Sequence, residues 1–455
     1  MRSGFDPREL SDFARYYGFH YGSLDPQALV KDVLIDMERG LCGRSSSLPM
    51  IPSYIRPESA AKPGRTVLAL DAGGTNMRVS RVHFDRQGRA AAEGTQNHKM
   101  PGTGGRVSAD RFFEMIADAA LPVLGDASGI DGIGFTFSYH MEIQPDADGI
   151  LLAFSKEIDA PEVIGKAIGA GLRNALAAKG CSYKGPIVLL NDTVATLLSG
   201  IASIPVDGMQ GCPENEAAVS PVIGFILGTG FNTAYPETSI PKIGFDSKEA
   251  PQIVVCETGT FNLRHRGILD REFDAGTKSP GTYTMEKATS GAYLGPLTLH
   301  ILKQAVRDGL VRFAKSDEFL ALPNLETRDL NEFCTSPFAV KGALASMFGG
   351  GEADAAASMQ YLAMIAAERG SMSAAAVLAA TVKRINASCD AGMRHYAPVR
   401  IAVEGTTYMA FKGMRRSLDS WLHIMLADEM PRPYVVAPVE QASLLGAAVA
   451  ATSKL

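Results

Sequence analysis

The stretch Val67–Val79, VLALDAGGTNMRV, constrains this chain more than any other. Its first half is rich in Val and Leu, as a buried strand requires, and it ends in Asp71. Gly73 and Gly74 then supply a turn that only small residues permit, with Thr75 and Asn76 following. Without side chains, the two glycines let backbone N–H groups close on an anion. Thr75 and Asn76 add donors, and Arg78 adds a fixed positive charge. Asp71, at the carboxyl end of the strand, is placed to hold a hydrated Mg²⁺ that bridges phosphates. Taken alone, the stretch would serve equally well as an ordinary hairpin with a polar tip.

A second stretch separates those two readings. Val222–Ala234, VIGFILGTGFNTA, repeats the design with an apolar strand, Gly228, Thr229 and Gly230 in a turn, and then Asn232. Two such units, far apart in the chain, predict two similar lobes facing one nucleotide, with both turns cradling phosphates. The length of 455 residues agrees, because it exceeds what one core usually holds and makes two domains with a cleft the expectation.

Composition excludes several alternatives. A hydrophobic content of 46% with 20% charged residues is that of a soluble globular protein, and a net charge of -5 argues against a nucleic-acid surface. The six cysteines (Cys42, Cys181, Cys212, Cys256, Cys334, Cys389) form no C-x-x-C pair, which disfavours a zinc site or a dithiol redox centre, and they read as free thiols. The N-terminal MRSGFDPREL lacks the apolar core of a signal peptide. No apolar run reads as long enough to span a bilayer, so a cytoplasmic location without membrane partners is expected.

Along the chain, Ala28–Gly40 has helical spacing, and SLPMIPSYIRPES, with its three prolines, reads as a connector that is neither helix nor central strand. After the first glycine turn, VSRVHFD and then QGRAAAEG predict an antiparallel meander. Ala109–Leu121 and Pro161–Lys179 read as helices, and Asp131–Ser138 as a strand followed by the polar loop His140–Asp148. PIVLLNDTVATLLSG runs from a buried strand through Asn191 and Asp192 into a helix, where Asp192 is either an N-cap or a site residue. Val206–Ser220 reads as a solvated loop, PQIVVCETGTFN as a strand ending in Glu257, and Met285–Leu302 as one helix. Ala353–Arg384 must be buried helix, Val399–Val403 a strand, and Gln441–Thr452 a helix of small residues.

In this order the motifs resemble those of the hexokinases, and the likeness covers almost the whole chain. LALDAGGTNMRV is similar to that family's first phosphate motif, GFTFS to the start of its sugar loop, and LLNDTVATLL to its catalytic motif. ILGTGFNTA is similar to its second phosphate motif, MEKATSGAYLG to its large-lobe helix, and VEGTTY to its adenosine motif. The resemblance implies an α/β, two-lobed, actin-like (ribonuclease-H-like) ATPase fold, with a mixed five-stranded sheet in each lobe and a central cleft. It implies a small lobe of residues 60–190 closed by a C-terminal helix at 441–455, and a large lobe of residues 1–59 and 191–440.

It further implies an ATP-dependent hexose kinase, monomeric or homodimeric, that uses Mg²⁺. Asp192 becomes the general base. Asp71, Arg78 and Thr229 serve metal and phosphates together with the two glycine turns. Ser155, Lys156, Asn191, Asn232 and Glu257 contact the sugar, and Gly405, Thr406 and Ser443 flank the adenosine. The chain departs from the family pattern at two points. His140 and Glu142 stand where the family's loop has a proline and a sugar-bonding serine, which makes Glu142 a candidate sugar contact. Ala275 stands where a second family glutamate is expected, so that one sugar-binding carboxylate is missing. The alternative functions are a silent sugar or nucleotide sensor and a nucleotide-switched assembly protein.

Overall fold

Two sheets organise the chain in the computed structural model, which describes residues 4–57, 62–86, 88–125, 127–154, 158–203, 220–247, 250–388, 398–427 and 433–454. β1 (Ile51–Pro52) is an edge strand of the second sheet. The first sheet is built from β2 (Thr66–Gly73), β3 (Asn76–Phe84), β4 (Ala90–Lys99) and β5 (Gly132–Phe137). The hairpin β6 (His140–Ile143) and β7 (Gly149–Ala153) comes next in the chain, and β8 (Ile187–Leu190) completes the sheet. Its order is β4-β3-β2-β5-β8. β2, β3 and β4 form the expected antiparallel meander, while β2, β5 and β8 run parallel. β5 and β8 are buried along their whole length, which is why they read as continuous apolar runs.

The second sheet takes β9 (Val222–Leu227) and β10 (Phe231–Glu237), passes a small flap of β11 (Ser239–Ile240) and β12 (Phe245–Asp246), and adds β13 (Gln252–Val255), β14 (Val399–Glu404) and β15 (Tyr434–Pro438). Its order is β1-β13-β10-β9-β14-β15, which makes six strands where five were expected. The extra strand comes from the proline-rich connector, where Ile51 and Pro52 pair with Val255 and Val254. Proline is tolerated there because an edge strand leaves one row of backbone groups unpaired.

Between the sheets lie the helices Asp192–Ser203 and Ala442–Thr452, both almost wholly buried. They approach so closely that a Cβ on Gly446 would stand 2.0 Å from the Ala195 carbonyl oxygen. Small residues at 442–452 thus let one helix join the back of the first sheet to the helix that starts at Asp192. The helix Ala353–Ser388 is the spine of the large core. It is long and apolar enough to cross a membrane, contrary to the expectation that no such run exists, yet 89% of its most apolar window is buried in protein.

Two helices differ from their predicted extents. Pro161–Lys179 resolves into a single 3₁₀ turn, Pro161–Val163, and a helix over Ile168–Ala178. Met285–Leu302 is broken into Thr284–Thr289 and Leu294–Arg307. The break has a cause in the tertiary structure, because the Gly291 N–H leaves the helical ladder to donate to the Gly228 carbonyl at 2.7 Å. Residues 206–219 of the predicted loop, with Cys212, and also Cys389, lie outside the described residues. The free cysteines among those described are Cys42, Cys181, Cys256 and Cys334.

Candidate active site

The turn after β2 is a two-residue connection in which Gly73 pairs with Asn76, and Gly74 adopts a left-handed φ of 66°. The Tyr139 hydroxyl donates to the Gly74 carbonyl at 2.5 Å, and the Met100 N–H donates to the Thr75 carbonyl at 2.9 Å. The glycine turn is therefore the tip of a hairpin, tied to the rest of its lobe by Tyr139 and Met100. Asp71 and Arg78 face each other across β2 and β3. Arg78 donates through Nε and Nη2 to Asp71 Oδ2 at 2.8 and 2.5 Å, leaving Oδ1 without a hydrogen-bond partner among the described residues. Burial pushes the Asp71 carboxyl up, against the opposing pull of Arg78.

The second turn is held from outside. Gly228 N–H donates to the Gly230 carbonyl at 3.0 Å, while the Gly228 carbonyl accepts from Gly291 N–H and from the Thr407 hydroxyl at 2.9 Å. The Thr229 carbonyl accepts from Ala292 N–H at 3.1 Å. Gly405 lies against the turn, and a Cβ there would be 2.3 Å from the Leu227 carbonyl oxygen. Beside this turn opens a cavity of about 550 Å³ lined by Thr229, Gly291, Ala292, Thr406, Thr407 and Phe411, among others.

Asp192 is separated from the end of β8 by Asn191, and it is not the helix cap. Asn191 Oδ1 accepts the Thr193 N–H at 2.8 Å, and the Asn191 carbonyl accepts the Ala195 N–H at 3.0 Å. Asp192 therefore sits in the first helical turn, with Oδ1 3.3 Å from the Thr193 hydroxyl. Around it the fold gathers further carboxylates. Glu257 leaves β13 in a left-handed conformation, φ 57°, and its Oε1 accepts from Asn232 Nδ2 at 2.9 Å. Asn232 is itself fixed, since its Oδ1 accepts the N–H groups of Thr233 and Thr258 at 2.7 and 3.3 Å. Glu286 reaches the Phe231 N–H at 3.3 Å and lies against Gly230 and Gly259. Glu404, at the end of β14, accepts from the Thr196 hydroxyl at 3.3 Å.

Burial is the main cause that lifts Glu257 up to about 7, with Asp192 and Glu286 adding to the rise and Asn232 opposing it. Burial likewise lifts Glu404 up to about 7, helped by Asp192 and Asp71. Glu286 is raised by burial as well. Since Glu257 and Glu404 have an ordinary value of 4.5, the folded protein retains protons that the unfolded chain has released between about pH 4.5 and 7. Their stabilising contribution is complete below that window and is lost as pH rises through it. The melting temperature of the ligand-free protein should therefore fall between about pH 5 and 7.5, more steeply than that of the Glu257→Gln/Glu404→Gln double variant. Identical slopes would show that both groups are already ionised in the empty protein.

Hexokinase family models match residues 16–202 and residues 222–453. The chain belongs to the hexokinase family. Hexokinase-1 of Oryza sativa subsp. japonica is 29% identical over 92% of this chain and 85% of its own length. Hexokinase-1 of Saccharomyces cerevisiae is 26% identical over 98% and 92%. A hexokinase from Schistosoma mansoni complexed with glucose shares the fold with a TM-score of 0.74, at 22% identity, covering 99% of this chain and 100% of that one.

Among the expected site residues, Asp192 next to Asn191 acts on Glu257, which Asn232 holds, and Asp192 and the Arg78-bound Asp71 both act on Glu404. Thr229 and Thr406 line the cavity. Ser155 and Lys156 lie outside the described residues. Ser443 stands in the first turn of the helix Ala442–Thr452, where its carbonyl accepts from Thr136 of β5 at 2.8 Å. Glu142 stands exposed on the β6–β7 hairpin, its side chain without a hydrogen bond or ion pair among the described residues, because strand alternation turns Met141 into the core and His140 and Glu142 outward.

Ala275 ends the surface helix Ile268–Ala275 and is exposed, and the Glu286 carboxylate lies near enough to Glu257 to add to its rise. Glu286 and Glu404 are both missed by sequence reasoning, although each lies inside a motif that carries the family resemblance, MEKATSG or VEGTTY.

Proposed function

We propose that this hexokinase family member transfers the γ-phosphoryl group of MgATP to a hexose hydroxyl, the 6-hydroxyl of glucose or a related sugar, with Asp192 as general base. The observation that carries this reading is Asp192 itself. It is relieved of capping by Asn191 and stands among hydrogen-bonded carboxylates suited to sugar hydroxyls, Glu257 and Glu286, with Asn232 between backbone and carboxylate. The glucose held by the Schistosoma mansoni hexokinase, and the name shared by the rice and yeast relatives, support a hexose as acceptor.

Phosphoryl transfer asks the protein for in-line placement and charge neutralisation more than for covalent chemistry. Backbone N–H groups of the 73–76 and 228–230 turns, with Arg78 and Thr229, would meet the phosphates, while Thr406 would flank the adenosine in the 550 Å³ cavity and Gly405 would stand against the second turn beside it. Asp192 would take the hydroxyl proton as the oxygen attacks. No group of three or more His, Cys, Asp or Glu side chains poised for a metal occurs among the described residues. One open carboxylate oxygen, Asp71 Oδ1, suits a Mg²⁺ ion that arrives on the phosphates and keeps most of its waters, where it would neutralise phosphate charge. An ADP-release assay across a panel of hexoses tests the reading. Sugar-dependent turnover is expected, and ADP release that no sugar stimulates would overturn it.

We also propose that residues 60–190 with the C-terminal helix close on the rest of the chain when sugar binds. Closure would keep water from competing as phosphoryl acceptor. Small-angle scattering should show a smaller radius of gyration with saturating sugar, and an unchanged profile with a turned-over sugar bound would remove the hinge.

A further inference from the structure

We infer that Tyr139 is a positioning residue for the nucleotide phosphates, its hydroxyl setting the central peptide of the first glycine turn so that the Thr75 N–H meets the bound anion; the inference rests on the phosphate half of the kinase reading above. The turn is closed by the pairing of Gly73 with Asn76. Of its two middle residues only Gly74 has a positive φ, 66°, which is the form of a type II′ hairpin turn. The Tyr139 hydroxyl donates to the Gly74 carbonyl at 2.5 Å. In a planar trans peptide the carbonyl and the N–H point in opposite directions. Tying the Gly74 carbonyl to a buried tyrosine therefore turns the Thr75 N–H away from the core, and that N–H makes no hydrogen bond among the described residues.

Glycine in the middle of the turn creates the need for such a tether. With no Cβ at Gly74, the central peptide rotates at little cost. Thr75 blocks its full inversion, because the inverted turn, type I′, demands a positive φ at both middle residues and a β-branched side chain resists it. Smaller rocking stays open, and it would swing the N–H out of line with an anion, where a hydrogen bond weakens steeply. The next peptide has a tether of its own, the Met100 N–H on the Thr75 carbonyl at 2.9 Å. The Tyr139 hydroxyl holds the central one.

Tyr139 is itself firmly seated. Its backbone follows β5 closely, and the Ser138 N–H before it donates to the Ala72 carbonyl at 3.0 Å, so the tyrosine starts from a point fixed to β2. Its side chain is 5% exposed, with the rings of Phe137 and Phe154 centred 4.7 and 5.2 Å from its own. Burial, with a smaller push from the Asp71 carboxylate, raises the hydroxyl well above its ordinary value. It therefore keeps its proton and remains a donor throughout the neutral range. A phenylalanine would fill the same seat between the two rings. What the hydroxyl adds is one directed bond to the turn.

The test is nucleotide binding, measured by calorimetry without sugar, on Tyr139→Phe, which keeps the ring and loses one oxygen. Its Kd for MgATP should rise by about tenfold, the upper end of what one hydrogen bond supplies, while its Kd for adenosine, which has no phosphate, should stay within about twofold of wild type. Tyr183→Phe is the matched control. Tyr183 lies in the same hydrophobic core, and its hydroxyl donates to the Pro186 carbonyl at 3.1 Å, so this variant loses an equivalent bond elsewhere and should bind both ligands as wild type does. Phe154→Leu, which loosens the seat of the ring and leaves the hydroxyl in place, carries the same expectation as Tyr139→Phe if the latter does not fold. An unmoved MgATP Kd in a folded variant, or equal losses for MgATP and adenosine, would reduce Tyr139 to packing and overturn the inference. Wild-type protein that holds MgATP no more tightly than adenosine would overturn it together with the phosphate reading beneath it. The predicted MgATP loss in a protein without sugar-dependent turnover would support the inference and remove the sugar acceptor alone.

Discussion

Asp192→Ala should lower kcat for sugar phosphorylation by about 10²–10⁴-fold, the usual contribution of a general base, and should leave fold and nucleotide affinity nearly unchanged. The second half of that expectation comes from Asn191. Because the Asn191 side chain satisfies the Thr193 N–H, removing the Asp192 carboxylate leaves the cap intact. The variant gives up a favourable interaction with the helix dipole of about 0.3–1 kcal/mol, but it also relieves repulsion of Glu257 and Glu404. These effects oppose each other, so the melting temperature should barely move. A variant that retained more than about a tenth of wild-type turnover would place the base elsewhere. A loss of stability of about 0.5–2 kcal/mol would return the cap to Asp192.

Glu286→Gln should raise the sugar KM by about 10- to 150-fold, corresponding to about 1.5–3 kcal/mol for a hydrogen bond to a charged group. Ala275→Glu should change it by less than about twofold, because Ala275 is exposed at the end of a surface helix. The pair of substitutions discriminates between two assignments of the second sugar-side carboxylate, one from motif alignment and one from geometry. A KM that followed position 275 and ignored position 286 would restore the first.

Much of the fold was legible because the elements that position the site are coded locally. The strands β2, β5, β8 and β9 are apolar runs long enough to be read as buried strands, and each of β2 and β9 is closed by glycines that mark its turn. The meander, the strand-to-helix junction at Asn191 and Asp192, and the small-residue helix at 442–452 follow from period and composition alone. The departures share another physical origin. β1 is two residues long and contains proline, so only its partner, β13, makes it a strand. The helix expected over 285–302 has the right period, but its ladder is interrupted where Gly291 serves the Gly228 turn from across the chain.

The candidate site divides in the same way. The sequence by itself determined which chemistry was available: two glycine turns for anions, a basic residue and a carboxylate at the first of them, and an aspartate at a strand end. Each of those is a short-range pattern, carried within a dozen consecutive residues. The tertiary structure alone decided which of two adjacent residues caps the helix and which carboxylates share the space around Asp192. It also decided that the Glu286 carboxylate lies near Glu257, that Ala275 is exposed and that Glu142 faces outward. Each of these is settled by which backbone and side-chain groups meet across distant segments, as Asn232 meets Glu257 and Lys287 meets Asp274. Hydrogen bonds and desolvation act over a few ångströms in space, and sequence separation says little about who lies within that range.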